Sequence, residues 1–269
     1  MFTNKSITNQ VTTMESQTAK FYLDKNDSKR IGQKTLYRVI AAININGHET
    51  IPAGTRGGYI ESEKNLSQEG NCWVGDNACV FEDAQVLGNA HVFGNAYIYG
   101  NAKISDNACV YGNAHVFDNA RVLHDAEVYG NAKIYNHAQV FRYAEVYGNA
   151  KVYGLAEIYG AAEIYGNAEV HESAEVYGAA EIYGNAKIYG SARVHDNAEV
   201  YDVAEIYNSA LVYDNAEIYG NAKVYEDAKV YGNAQIYMNA HVYGGAKVYG
   251  NAEVSESAAV CGFARVGCA

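Results

Sequence analysis

The chain has 269 residues, a net charge of −11 and a sequence pI near 5.2. This acidity argues against direct binding to nucleic acid, which relies on Lys and Arg to neutralise phosphates, and against binding to anionic membrane surfaces. Hydrophobic residues make up 49% of the chain, but Ala, Val and Tyr supply most of them, with 25 Tyr and a single Trp. A conventional core of Leu and Phe is therefore not expected.

Residues 1–19 form a polar segment without the apolar core of a signal peptide, so they are predicted to be a disordered tail, and Met14 is an alternative start. No run of about 18 apolar residues predicts a transmembrane helix. Five cysteines are scattered along the chain, odd in number and without metal-ligand spacing. This usage favours a reduced, cytoplasmic protein.

Residues 20–73 are predicted to form a small β cap with a hairpin at Asn46-Gly47. A solenoid needs such a cap, because its first coil would otherwise expose unpaired backbone groups. The stretch "AGTRGG" at 53–58 is interpreted as a turn of the cap. An anion-binding loop is the alternative, but no Lys-Ser/Thr pair follows it.

A six-residue repeat occupies the rest of the chain. From Val74 onward, 32 consecutive hexads run without insertion or deletion, from VGDNAC to VCGFAR. Position one is always Val or Ile and position five is always Ala. Position two is Tyr in 20 hexads and Phe in four, and position four is Asn in 17. Repeats of this kind indicate a solenoid.

Each hexad is predicted to be a short strand and a turn. Alternation sends Ala and Val/Ile inward, and the variable residue and Tyr outward. Gly and Asn, which tolerate positive φ, form the corner. Three units form one triangular coil of 18 residues. Residues 74–269 are therefore predicted to form an all-β parallel β-helix of between ten and eleven coils. An amphipathic helix is excluded, since the apolar period is two within strands and six between them.

The hexads "VGDNAC", "ISDNAC" and "IYGNAK" resemble the hexapeptide repeat of left-handed β-helix proteins, over about 70% of the chain. The resemblance implies a left-handed coil. The upstream segment "LYRVIAAININGHETIPAGTRGGYIESEKNLSQEGNCWVGDNA" is similar to the opening of uncharacterised YdcK-like proteins of enteric bacteria and their phages, which are named as acetyltransferases.

Characterised acyltransferases of this fold are trimers that bind acyl-CoA between rods and use a His as base. They usually have a loop between coils or a helical C-terminal part, and this sequence has neither. Its outward histidines stand in ladder positions, and no two have the spacing of the zinc ligands in fold-relatives with carbonic anhydrase activity. We therefore predict no catalytic, cofactor-binding or metal-binding residues. Acyltransferase activity stays open as an alternative. The histidines at outward positions are His91, His115, His171, His195 and His241.

Residues 18 positions apart occupy equivalent places in successive coils of the predicted rod. Each face therefore carries rows of side chains, which we call ladders. On one face, a row of Tyr runs beside a nearly unbroken row of carboxylates. The predicted interaction surface comprises Tyr129, Tyr147, Tyr165, Tyr183, Tyr201, Tyr219, Glu127, Glu145, Glu163, Glu181, Glu199 and Glu217. We expect the phenol rings to stack, with their hydroxyls in water.

Two interpretations of these rows stay open. The Tyr rows either stiffen the rod or mark a contact surface for another rod, a protein or a sugar chain. The carboxylates either form a solvated face that resists lateral aggregation or collect cations such as Ca²⁺. The second face carries Tyr with nearly alternating Lys and Glu, and on the third face the charge changes from Glu to Lys and Arg along the rod.

The segment "VCGFARVGCA" shows no polar closing element, and a bare terminal coil is an edge that favours pairing. We predict that Cys261, Phe263 and Arg265 form an assembly end that joins copies of the chain. The functional hypothesis is thus a non-catalytic, rigid scaffold or binding rod, of phage origin. The alternatives are an acyltransferase that uses acyl-CoA and an acidic mimic of nucleic acid.

Overall fold

The computed structural model describes residues 19–47 and 50–268, so the tail predicted for residues 1–19 lies outside the described residues except for Ala19. The described chain is a parallel β-solenoid of about twelve turns with about 18 residues per coil, preceded by a small antiparallel cap. A single 3-10 turn, Glu63–Asn65, is the helical element in these ranges. The predicted all-β fold is confirmed.

The cap is built from antiparallel strands. β1 pairs with β2, and β2 pairs with β5, while β3 and β4 form a separate hairpin. In that hairpin Asn46 lies opposite Thr50, so the chain reverses after Asn46 as the sequence predicts. The cap strands are β1 Phe21–Ile31, β2 Lys34–Ala41, β3 Ile45–Asn46, β4 Thr50–Ile51 and β5 Arg56–Ile60.

The cap sheet continues directly into the solenoid. β5 pairs in parallel with the strand Cys79–Val80, and Leu66 bridges to Val86. Parallel pairing therefore begins one coil before the regular hexads. The glycines of "AGTRGG" permit this close approach, since a Cβ on Gly58 would lie 2.6 Å from the carbonyl oxygen of Ala78.

A buried lysine closes the first coil. Lys20 is 4% exposed, and its Nζ donates to the carbonyl oxygens of Glu69 and Gly70 at 3.3 Å and of Cys72 at 3.0 Å. These carbonyls lie at the start of the solenoid. The ammonium group thus satisfies backbone acceptors that burial would otherwise leave without water.

Each coil from Trp73 onward contributes one short strand to each of three parallel sheets, which we name the glutamate, mixed and third faces. The glutamate face contains β6 Trp73–Val74, β9 His91–Val92, β12 Cys109–Val110, β15 Glu127–Val128, β18 Glu145–Val146, β21 Glu163–Ile164, β24 Glu181–Ile182, β27 Glu199–Val200, β30 Glu217–Ile218, β33 Gln235–Ile236 and β36 Glu253–Val254. The mixed face contains β7 Cys79–Val80, β10 Tyr97–Ile98, β13 His115–Val116, β16 Lys133–Ile134, β19 Lys151–Val152, β22 Glu169–Val170, β25 Lys187–Ile188, β28 Glu205–Ile206, β31 Lys223–Val224, β34 His241–Val242 and β37 Ala259–Val260. The third face contains β8 Gln85–Val86, β11 Lys103–Ile104, β14 Arg121–Val122, β17 Gln139–Val140, β20 Glu157–Ile158, β23 Glu175–Val176, β26 Arg193–Val194, β29 Leu211–Val212, β32 Lys229–Val230, β35 Lys247–Gly250 and β38 Arg265–Cys268.

The core is a column of small and branched side chains. Every Ala of position five and every Val or Ile of position one is 0% exposed from Ala78 to Val248. The neighbouring Tyr and variable residues face outward and are mostly half-buried. Strict inward–outward alternation is therefore confirmed, and each coil places one branched side chain and one methyl group per side inside the tube.

The corners follow the predicted turn chemistry. Gly160 at position three has φ +80°, while Asp202 holds φ +58° at the equivalent place. The amide of position four donates across coils, as from Asn149 to the carbonyl of Gly166 at 2.7 Å. Because even the corner amides are paired between coils, the rod has hydrogen bonds along its edges as well as its faces.

Candidate interaction surface

Aromatic rings on the glutamate face form one continuous stack, the tyrosine ladder. Ring centroids of successive members lie 4.8 to 5.1 Å apart with interplanar angles of 1° to 5°. The regular coil repeat places each ring above the ring 18 residues earlier, so stacking along the rod is confirmed. The ladder comprises Phe93, Tyr111, Tyr129, Tyr147, Tyr165, Tyr183, Tyr201, Tyr219 and Tyr237.

The phenol hydroxyls do not simply face water, and this expectation is corrected. Six of the eight tyrosines in the ladder donate to a glutamate Oε2 sixteen residues later, in the next coil. The distances are 2.9 Å for Tyr111–Glu127, Tyr129–Glu145 and Tyr147–Glu163, 3.0 Å for Tyr165–Glu181, and 3.2 Å for Tyr183–Glu199 and Tyr237–Glu253. The same alternation that places Tyr and Glu outward also brings these two rows within hydrogen-bonding reach of each other.

Partial burial and the carboxylates raise the pKa of the ladder phenols from Tyr111 to Tyr219. For Tyr147 the pKa lies well above its usual value, mainly because burial disfavours the phenolate, and then because the hydroxyl donates to Glu163. For Tyr201, burial and the nearby charge of Glu217 raise the pKa to about 12. The phenols therefore stay protonated as donors throughout the physiological range.

This network changes what the surface offers to a partner. Stacked rings cover one another's faces, so the solvent meets ring edges and rows of Tyr–Glu hydrogen bonds. The glutamates are half-buried acceptors, of which Glu163 and Glu181 are typical. Within residues 19–47 and 50–268, no group of three or more His, Cys, Asp and Glu side chains is placed to hold a metal ion.

The mixed face carries ion pairs between coils. Lys151 Nζ lies 2.8 Å from Glu169 and Lys223 Nζ lies 3.2 Å from Glu205, each contacting Oε1. The Tyr189 hydroxyl donates to Glu205 at 3.0 Å. Lysines of this face thus neutralise carboxylates of their own rod.

The histidines in Tyr positions are members of the stacks, as the sequence predicts. His171 stacks between Tyr153 and Tyr189 at 4.7 and 5.1 Å, and His195 on the third face stacks on Tyr177 at 4.7 Å. Burial lowers the pKa of His171, which favours a neutral ring in the stack.

Asparagine ladders along the corners were not foreseen. Side-chain Nδ2 atoms donate to the Oδ1 of the Asn one coil on, at 3.0 to 3.3 Å in the longest run. The frequent Asn of position four, which also suits the turn, was the signal in the sequence for these ladders. The longest run comprises Asn95, Asn113, Asn131, Asn149, Asn167 and Asn185.

The predicted assembly end lies in the last described coil, away from the tyrosine ladder. Phe263 is 92% exposed, and Cys261 and Arg265 are also exposed. Val260 and Val266, which occupy inward positions, are only partly buried. The last described coil therefore leaves these apolar side chains accessible to solvent.

A double-mutant cycle on Tyr165→Phe and Glu181→Gln should give a coupling energy of about 1 kcal/mol, since a hydrogen bond to a charged acceptor is lost in a half-buried setting. Denaturant unfolding measures it. The matched control is Tyr213→Phe, because the residue sixteen positions on is Lys229, whose ammonium group cannot accept a hydrogen bond. Equal costs for Tyr165→Phe and Tyr213→Phe, with no coupling to Glu181, would show that the hydroxyls contribute nothing.

These features define the class of protein: the chain is a parallel β-solenoid with three-sided coils, whose outer faces are stacked aromatic and hydrogen-bonded polar rows. Comparison with known protein families gives no match, and comparison with curated proteins gives none. In the described parts of the chain, no helix has the length and apolar character needed to cross a membrane.

Proposed function

We propose that the protein is a non-catalytic, rigid scaffold or binding rod that acts through its exposed Tyr rows and joins other copies through its C-terminal coil. The observation that supports this most is the uninterrupted core, 0% exposed from Ala78 to Val248. Every coil has the same length, and strand pairing is continuous on three faces. A scaffold requires this regularity, whereas a catalytic pocket commonly requires that it be interrupted.

The surface rows favour a protein partner or another rod over a sugar chain. A sugar ring binds an aromatic side chain through an open ring face, and the stacks cover these faces along the rod. What remains outside is a regular row of ring edges and Tyr–Glu hydrogen bonds repeating at roughly the 4.8 Å strand spacing. A partner with its own repeating polar groups would match this spacing.

The C-terminal coil supports association of two copies. Its inward-facing Val260 and Val266 are partly exposed, and Phe263 is almost fully exposed. β38 pairs in parallel with β35 on one side, over four residues. Contact between two such ends would bury these apolar groups, which is the main driving force of stable association.

Light scattering over a concentration series tests this association. The parent chain should show a mass that rises to two chains, and Phe263→Asp should stay at one chain at the same concentrations. Leu155→Asp is the control, since Leu155 is 60% exposed at a corner far from the end. A parent chain that remains at one mass throughout would contradict the proposal. A mass of three chains together with calorimetric binding of acyl-CoA would favour the acyltransferase alternative instead.

We also infer a cytoplasmic location and a relation to YdcK-like proteins. The described cysteines Cys72, Cys79, Cys109 and Cys261 are free thiols, which supports a reducing compartment. The relation to YdcK-like proteins rests on the cap sequence at 36–78.

A further inference from the structure

We propose that the tyrosine ladder from Tyr111 to Tyr183 carries an oxidising equivalent along the rod, with the glutamates as local proton acceptors. The reaction partner is a one-electron oxidant strong enough to oxidise a phenol, such as a photo-generated metal complex or a radical. This activity is separate from the scaffold role and needs no macromolecular partner. Three features of the ladder carry the proposal.

The first feature is the spacing of the rings. Four successive steps join the five tyrosines, each with centroids 4.8 or 4.9 Å apart and planes within 5° of parallel. Rings at this separation are in contact, so an electron can pass between them without crossing solvent. Because the coil repeat gives every pair of rings nearly the same geometry, each electron transfer is nearly equivalent. The geometry therefore singles out no ring at which the oxidising equivalent would be trapped.

The second feature is a proton acceptor for every ring. The five hydroxyls donate to glutamate Oε2 atoms at 2.9 to 3.2 Å. A phenol that loses an electron becomes a strong acid and must release its proton. Here the proton moves to the bonded carboxylate, and no rearrangement of water is required.

The balance of each step is simple. The oxidant takes one electron from the first phenol, whose proton passes to its glutamate; a neutral tyrosyl radical and a protonated glutamate result. The next phenol then gives one electron to this radical and one proton to its own glutamate. The first phenoxyl takes back the proton that its glutamate held. As a result, the oxidised tyrosine and the protonated glutamate are now the pair one coil further along, and no atom has been gained or lost.

The third feature is the contrast with the other faces. His171 takes the place of a phenol in the stack of the mixed face, and His195 does so in the stack of the third face. On the glutamate face itself, Gln235 stands sixteen residues after Tyr219, where the other ladder tyrosines have a glutamate. Among the described residues, Tyr201 also makes no hydrogen bond to Glu217, so the unbroken run of stacked phenols that donate to a carboxylate is Tyr111 to Tyr183.

A flash experiment tests the transfer. A ruthenium polypyridyl photo-oxidant is attached at Val203→Cys, an exposed corner beside the end of the segment, with Cys261 and Cys268 replaced by Ser. Aminotyrosine, which is more easily oxidised, replaces Tyr111 as the sink, roughly 24 Å away at 4.8 Å per coil. We expect the aminotyrosyl radical, seen by electron paramagnetic resonance, to form after the flash.

Two variants make the test decisive. Tyr147→Phe keeps a stacked ring, as Phe93 shows, but removes an oxidisable phenol, and it should slow radical formation at least tenfold. Glu163→Gln removes the proton acceptor of Tyr147 and should also slow it. Tyr153→Phe, on the mixed face, is the control and should leave the rate unchanged. Absence of the sink radical in the parent chain, or equal rates in the parent and Tyr147→Phe, would overturn the proposal.

Discussion

Replacement of Ala180 by Leu should destabilise the rod by about 3 kcal/mol or more, because overpacking a tightly filled core forces neighbouring side chains off their preferred rotamers. Ala180 is 0% exposed and belongs to the column of alanines that fills the tube beside Val and Ile. Three sides share this narrow interior, so no direction is open for the added carbons. Urea unfolding followed by circular dichroism gives the free energy.

The adjacent residue provides the matched control. Ala179 occupies the exposed corner of the same hexad, and Leu155 shows that this position accepts Leu. Ala179→Leu should therefore change the stability by less than about 0.5 kcal/mol. If the two substitutions had equal effects, the inward placement of the alanine column would be wrong.

Stability should fall steeply as the pH rises from about 10 toward 12. Burial and carboxylate neighbours raise the pKa of Tyr153, Tyr159 and Tyr201 from 10 to about 12, and they also raise the pKa of Tyr147 and Tyr165 in the tyrosine ladder. A group with a raised native pKa contributes its full stabilisation below the unfolded pKa. That contribution is lost as the pH passes from the unfolded to the native value, since the unfolded chain releases its protons first.

Thermal unfolding at a series of pH values measures this loss. Because many phenols act together, the decline should be much larger than any single group would give. Glu163→Gln should make the decline shallower, since it removes the charge and the acceptor beside Tyr147. A melting temperature that stays constant up to pH 12 would show that the phenols have the same pKa values in the folded protein as in the unfolded chain.

The fold was predictable because the repeat constrains every residue in the same way. Invariant Ala and Val/Ile at alternating places leave one inward arrangement, and a constant hexad length gives the 18-residue coil. The cap was harder to place, since its junction depends on contacts distant in sequence, such as Lys20 with the carbonyl of Cys72. The first parallel pairing, between Tyr59 and Cys79, likewise joins residues that no local pattern brings together.

The surface was only partly predictable, for a physical reason. Sequence columns show which side chains share a face, and they predicted ring stacking correctly. They do not show how far a side chain reaches across coils, so the bond from Tyr147 to Glu163 was missed. The signal was the offset of sixteen residues that separates Tyr147 from Glu163 and recurs in the equivalent pairs of the glutamate face. The self-assembly predicted for Cys261, Phe263 and Arg265 stays a prediction.

Spectrophotometric titration of the native phenols tests the stacked, hydrogen-bonded surface most directly. Phenolate absorbance is followed in the folded protein and in urea. We expect the ladder phenols from Tyr111 to Tyr183 to ionise well above pH 10 in the folded protein and Tyr201 to ionise near 12, whereas the urea-unfolded chain should ionise near 10. A native curve that coincides with the unfolded one would mean that the hydroxyls lie free in solvent, and the Tyr–Glu network would be contradicted.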